Sequence, residues 1–233
     1  MTAYEPLQNN HGAEIEFRPF FLIEPLTSRE FREQKINLPD YTAIVFSSRA
    51  AIDAYFKLAE ELRFKVPETM KYFCTTELVA NYLQKHIVYR KRKIFFGNGT
   101  PDSVVALIGP KHKGEKFLVA KSAGASAEAI TSLFQKAGLD FVEAELVKSV
   151  TQDLHDLDIK SYDIVALYNP ADVKSLFENF PDFKQGSIKF VGYGRSIARA
   201  MEDAGLNIDI KGPTPEAPSV ARAIELYLQN NNK

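Results

Sequence analysis

The sequence predicts an α/β protein made of two similar three-layer domains, each a parallel sheet with crossover helices, and a cleft between them. Three observations predict it. First, the chain repeats itself. Tyr41 to Phe56 matches Tyr162 to Phe177 at a constant offset, with Ile44 over Val165, Phe46 over Leu167, Ala50 over Ala171 and Ile52 over Val173. After a short deletion the match resumes, Lys71 to Cys74 running beside Lys189 to Gly192 and Leu83 over Met201. Copies this far apart are domains, because solenoid units have much shorter periods. Second, short apolar runs alternate with helix-length amphipathic stretches, the pattern of parallel strands joined by helices. Third, 233 residues with 45% hydrophobic and 25% charged content suit two small domains with ordinary cores.

The elements follow in order. Ala13 to Phe21 reads as a strand, and Glu24 to Asp40, with Pro25 and Pro39, as a polar connection. Thr42 to Phe46 is a buried strand and Ala50 to Arg63 its helix. Lys71 to Cys74 and Glu77 to Lys85 repeat the pair, and Ile94 to Phe96 leads through Gly97-Asn98-Gly99-Thr100-Pro101 into a helix from Asp102. Phe117 to Ala120 is a strand, Ser126 to Ala137 a helix stopped by Gly138, and Phe141 to Val150 one long strand. The second copy supplies Ile164 to Tyr168, a helix to Phe180, Ile188 to Val191, a helix to Ala204 stopped by Gly205, and Ile208 to Ile210. Ala217 to Gln229 is the last helix, and the Asn230 to Lys233 tail should fray.

Composition excludes several functions. The net charge of −1 gives no global basic field for nucleic acid. No apolar run approaches the ~20 residues that span a bilayer, and no apolar signal core opens the chain, so a cytoplasmic protein without membrane contact is expected. The single cysteine, Cys74, permits no internal disulfide. Four scattered histidines offer no metal spacing, so no metal is expected. Gly192-Tyr193-Gly194 has the outline of a dinucleotide turn, but Ile197 stands where its third glycine belongs. Arg90-Lys91-Arg92-Lys93 and the lysines at 111, 113 and 116 read either as solvated faces or as a rim for a polyanion.

The turns carry the functional signal. Ser47-Ser48-Arg49, Thr75-Thr76-Glu77, Lys121-Ser122-Ala123-Gly124, Asn169-Pro170-Ala171-Asp172, Gly194-Arg195-Ser196 and Pro213-Thr214-Pro215-Glu216 each follow a strand and open a helix. Each offers unpaired N–H groups and the positive end of a helix dipole, which bind carboxylates or phosphates. Any one of these residues is equally an ordinary N-cap. Ligands of open α/β sheets bind at the carboxyl ends of the strands, where all these turns lie. Dedicated acid–base or nucleophilic constellations are missing, so an enzyme of this kind works by positioning its substrate.

Phe46-Ser47-Ser48-Arg49-Ala50-Ala51-Ile52, Tyr168-Asn169-Pro170-Ala171, Phe190 to Met201 and Pro213 to Ala217 resemble, in order, the signature stretches of uroporphyrinogen-III synthases. The resemblance implies a discontinuous domain of residues 1–25 plus 150–233, an inserted domain of residues 26–149, and a two-stranded linker. It implies an enzyme that cyclises hydroxymethylbilane with loss of water and inversion of the terminal pyrrole, needing no cofactor, in haem, sirohaem and cobalamin synthesis. It also implies a monomer that makes transient contact with porphobilinogen deaminase. Substrate-binding positions would be Ser47, Ser48, Arg49, Thr76, Val79, Ser122, Ala123, Asn169, Pro170, Ala171, Gly194, Arg195, Ser196, Ile197 and Thr214. Three positions depart from the family pattern: Val147 stands where a tyrosine is common, and Val79 and Ile197 where threonines are. If the alignment is right, all three should face the cleft or its walls. They leave a second reading open, a tetrapyrrole-binding relative without catalysis. The short start, Met1-Thr2-Ala3-Tyr4, implies that the discontinuous domain lacks a strand and has an open sheet edge.

Overall fold

The computed structural model describes residues 3–121 and 125–231. By contacts the chain divides into two units, Met1–Leu22 with Ser149–Lys233, and Ile23–Lys148.

The first elements belong to both units. Helix α1 (Glu5–His11) has a proline in its first turn and ends at Gly12 in the left-handed conformation, φ 63°. Residues 13–20 belong to no sheet, so the strand expected from Ala13 begins only at β1 (Phe21–Pro25). The stretch from Glu24 to Asp40 is more than a connection. It holds α2 (Ser28–Glu33), whose capping box joins Thr27 and Glu30: the Glu30 N–H donates to Thr27 Oγ1 at 3.3 Å and the Thr27 N–H to Glu30 Oε2 at 2.9 Å.

The second unit is built on β2 (Ala43–Phe46), β3 (Lys71–Cys74), β4 (Ile94–Phe96), β5 (Lys116–Ala120) and β6 (Asp140–Ala144). All are parallel, in the order β4-β3-β2-β5-β6. Strand alternation splits its core in two. Ile44, Phe46, Tyr72, Cys74 and Leu118 face α3 (Arg49–Glu61) and α4 (Glu77–Tyr82). Ala43, Val45, Phe73, Phe117 and Val119 face α5 (Pro101–Ile108) and α6 (Ala125–Lys136). Each fully buried Phe or Ile here contributes about 1.5–3 kcal/mol of transfer free energy. Helix α3 buries Ala51, Ile52, Tyr55, Leu58 and Ala59, the i, i+3, i+4 stripe of an amphipathic helix.

The long strand expected over Phe141 to Val150 is two strands. β6 ends at Ala144, and β7 (Val147–Thr151) pairs with β1 in a separate two-stranded sheet. Between them, Leu146 is buried in the second unit's core and its carbonyl accepts from the Leu26 N–H at 2.9 Å. This contact turns the chain out of one sheet and into the next.

The first unit holds β8 (Ile164–Leu167), α7 (Pro170–Asn179), β9 (Lys189–Tyr193), α8 (Arg195–Asp203), β10 (Ile210–Gly212) and α9 (Val220–Asn231). Its sheet is parallel, in the order β10-β9-β8. Val165, Leu167 and Phe190 pack under α7 and α8, while Ile164, Ala166 and Val191 meet α1 and α9 on the other face. A buried Asn179 on α7 accepts from the Leu154 N–H and donates to the Gln152 and Ser175 carbonyls, each at 2.9 Å. Three boundaries shift from expectation: the last strand starts at Ile210, α9 starts at Val220, and Asn230 and Asn231 are helical rather than frayed. Residues 232 and 233 lie outside the described residues.

Candidate functional site

In the second unit, Phe46 ends a fully buried strand and the chain enters Ser47-Ser48-Arg49. Ser48 has extended backbone and caps α3, accepting from the Ala51 N–H at 3.2 Å. The Ser47 hydroxyl is enclosed and has no hydrogen-bond partner among the described residues. Arg49 opens α3 with its guanidinium 5.4 Å from the Tyr82 ring centre, so a cation stands at the positive end of the helix. Thr76 caps α4 in the same way, accepting from the Val79 N–H at 3.3 Å. Ser122 and Ala123 lie outside the described residues.

The first unit repeats the plan with different residues. Asn169 caps α7 and accepts from the Ala171 N–H at 3.0 Å, while Pro170 takes the first helical position, where no N–H is needed. Asp172 completes the box, accepting from the Tyr168 and Asn169 N–H groups at 2.9 Å each. Burial pushes the Asp172 carboxyl above the usual range, against those two donors. At α8 the cap is Gly194 at φ 106°, with no side-chain cap bond, so the N–H groups of Arg195 and Ser196 begin the helix beside open backbone.

Val79, Ile197 and Thr214 depart from the sequence reading. Val79 and Ile197 are the third residues of their helices; they are 8% and 0% exposed and pack in the two cores rather than on a site wall. Third-position side chains here turn back toward the sheet, as Ala51 does in α3. Val147 is half-buried in β7 against the second unit's core. Thr214 caps no helix. Its N–H donates to the Ala217 carbonyl and its Oγ1 accepts from the Ala217 N–H, closing the turn on itself, while Ser219 accepts from Arg222 in the first turn of α9.

The turn after β4 joins the others. Gly99 donates to the Thr75 carbonyl at 2.8 Å and Gly97 to the Cys74 carbonyl at 2.9 Å, which seats Gly97 to Thr100 against the Thr75-Thr76 turn. Leu78 and Phe96 expose apolar surface at this same end of the sheet. Its sequence signal is the glycine-bearing turn ahead of Pro101 at the helix start; exposed Leu78 has none.

Both basic clusters sit elsewhere. Residues 90–93 precede β4 and Lys111, Lys113 and Lys116 precede or open β5, at the amino ends of the strands. Arg90 pairs with Glu68 at 3.5 Å, and Lys93 is 8% exposed with Nζ 3.3 Å from the Glu68 carbonyl. The block is a structured face, and a polyanion rim beside the turns is not what it forms. Among the described residues no group of histidine, cysteine, aspartate or glutamate could hold a metal, and no helix is long and apolar enough to cross a membrane.

A family model described as "Uroporphyrinogen-III synthase HemD" matches residues 3–222. No curated protein sequence matches the chain. Among solved structures, a mutant uroporphyrinogen III synthase from the extremely thermophilic bacterium Thermus thermophilus is similar at 16% identity and TM-score 0.52, over 98% of this chain and 95% of that one. A uroporphyrinogen-III synthetase from Helicobacter pylori is similar at 18% identity and TM-score 0.53, over 91% and 90%. At these identities the structural likeness speaks for the fold.

Proposed function

Because the chain belongs to the uroporphyrinogen-III synthase family, we propose that it cyclises hydroxymethylbilane, with the substrate's carboxylates received by helix N-termini at the carboxyl ends of its sheets. The observation that carries the reading is the family match over nearly the whole chain. The capped but otherwise open first turns of α3, α4 and α8 support it, since such ends favour anions without needing a cation.

The chemistry asks little of side chains. The terminal hydroxyl leaves as water, taking up one proton; the terminal pyrrole inverts through a spiro intermediate; and ring closure returns one proton from the attacked pyrrole carbon. The electron-rich pyrrole itself drives out the hydroxyl. The protein's task is to fold a flexible chain so that its ends meet in the inverted sense, a task that orientation alone can accelerate greatly. Ser48, Thr76, Asn169 and Gly194 act here as caps that fix the geometry of the donating N–H groups. Arg49 adds a cation at α3, and Leu78 and Phe96 supply apolar surface for a pyrrole face. In this reading the protein works in the cytoplasm and takes its substrate from porphobilinogen deaminase in a transient encounter.

The test is a coupled assay with porphobilinogen deaminase, separating type I from type III product. Uncatalysed closure gives type I, so the reading expects type III above background and is overturned if only type I forms. A variant pair then isolates the backbone. Arg49→Ala removes the cation; Arg49→Pro removes the cation and the first N–H of α3, at a position that tolerates proline. Losing a hydrogen bond to a charged group costs about 1.5–3 kcal/mol, so KM should rise roughly tenfold or more beyond that of Arg49→Ala. Equal KM values at equal melting temperature would sink the backbone-amide model.

A further inference from the structure

Arg49 stands where a cation is poorly placed. It opens α3, whose first turn is the positive end of the helix dipole. Among the described residues it forms no ion pair. A partner is within reach by spacing, since Asp53 follows four residues on along the same face of α3. The same spacing does pair in α8, where Arg199 reaches Asp203 at 3.9 Å.

Asp53 is taken up elsewhere. Its Oδ2 accepts from the Tyr82 hydroxyl at 2.7 Å, and its Oδ1 meets Lys85 Nζ at 3.0 Å and His86 Nε2 at 2.6 Å. His86 is itself fixed, its ring stacked on Phe56 of α3 with 4.6 Å between centres. Both carboxylate oxygens are thus committed to residues that close α4 or follow it. Tyr82, held through its hydroxyl, presents its ring 5.4 Å from the Arg49 guanidinium carbon. An aromatic ring attracts a cation without neutralising it, as a carboxylate would.

We propose, on the functional reading above, that Tyr82 is a positioning residue of the candidate site: anchored by Asp53, its ring holds the Arg49 guanidinium uncompensated at the first turn of α3, where it receives a substrate carboxylate. Two physical effects combine. An exposed arginine has many rotamers, and ordering them on binding costs affinity; a ring platform orders the side chain beforehand. Occupying Asp53 keeps its carboxylate from collapsing onto Arg49 and cancelling the charge that the substrate meets. Lys85 and His86 fill one carboxylate oxygen, and Tyr82 alone both fills the other and carries the guanidinium.

The test is a double-mutant cycle read as KM for hydroxymethylbilane in the assay coupled to porphobilinogen deaminase. Arg49→Ala and Tyr82→Leu should each raise KM about fivefold, as expected for one cation–π contact, with a smaller effect on kcat. Tyr82→Leu added to Arg49→Ala should raise KM no further. Tyr82→Phe keeps the ring and should recover most of the loss. A merely structural Tyr82 gives the same change in both backgrounds, or a lower melting temperature at unchanged KM; either result overturns the proposal. NMR on the unaltered protein needs no variant: the Arg49 Nε–H proton should lie upfield of its random-coil position, shifted by the Tyr82 ring current. A random-coil position overturns the proposal whatever the activity. Type I product alone from the unaltered protein overturns the functional reading and this inference with it. Type III product with additive KM effects overturns this inference alone.

Discussion

Cys74 and Asp53 illustrate how burial and partners decide single groups. Cys74 closes β3 fully buried, and burial pushes its thiol up to about 12. A thiol that stays protonated in a dry core is a weak nucleophile. Native protein at pH 8 should therefore resist thiol-specific reagents and take up one equivalent only after denaturation; stoichiometric labelling of the native state would contradict the placement. Asp53 on α3 gathers three donors: Tyr82 Oη at 2.7 Å, Lys85 Nζ at 3.0 Å and His86 Nε2 at 2.6 Å. Burial alone would raise this carboxyl, but the hydrogen bonds from Tyr82, His86 and Lys85 prevail and hold it at about 2. A depressed folded value means stability that is present above the ordinary value of 3.8 and lost as pH falls toward about 2. Asp53→Asn should lower the melting temperature at pH 7, with the difference from the unaltered protein shrinking through that window. A difference independent of pH would show that the carboxylate's charge is not what α3 and α4 share.

At the scale of elements, the same turn serves two ends, anchoring a helix and presenting its N–H groups. Ile197 lies wholly buried in the first turn of α8, and Met201 follows four residues on, also at 0% exposure. The resemblance read from the sequence puts threonine at this position. Ile197→Thr in this chain buries a hydroxyl among apolar neighbours and opens a small void, at a cost of about 1–3 kcal/mol. The variant should melt lower, by several degrees, with kcat per folded molecule unchanged; a gain in kcat would put residue 197 in the chemistry. Gly194 tests the cap itself. Its φ of 106° is closed to other residues without strain, so Gly194→Ala should cost about 1–3 kcal/mol and tilt the start of α8. Type III yield should then fall more than stability predicts, because the N–H groups of residues 195 and 196 lose their aim. An unchanged KM and kcat would remove α8 from the binding surface.

For the whole molecule, continuity of the chain matters. The unit Ile23–Lys148 is a single stretch with a five-stranded parallel sheet and apolar clusters on both faces. The other unit draws on two distant segments, Met1–Leu22 and Ser149–Lys233. A fragment of residues 23–148 should fold alone, giving dispersed amide resonances and a cooperative melt, because its core needs nothing from outside it. Residues 149–233 alone should not, since Leu7 is buried in the cluster with Ile210, Val220 and Ile224 and Phe20 in the one with Phe190. A molten spectrum from the first fragment, or a cooperative melt from the second, would reverse this assignment of independence.

The sequence by itself determined the fold class, the family and most strand positions. Lys71 to Cys74 and Ile94 to Phe96 lie where the apolar runs put them, because buried parallel strands are written as uninterrupted hydrophobic stretches. It also marked the turns as helix starts, since caps such as Ser48, Thr76 and Asn169 act within three residues of themselves. The tertiary structure decided what depends on distant partners. Residues 13–20 alternate like a strand and yet join no sheet, whereas β7, which looked continuous with β6, belongs to another sheet because β1 is there to receive it. Val79 and Ile197 occupy motif positions that the sequence reading gave to the site, and only the helix phase turned them into the cores. The basic block at 90–93 reads as one patch until packing against Glu68 divides it, at the end of the sheet away from the turns. Local rules are carried by neighbouring residues; pairing, facing and burial are properties of the partner, which the sequence does not name.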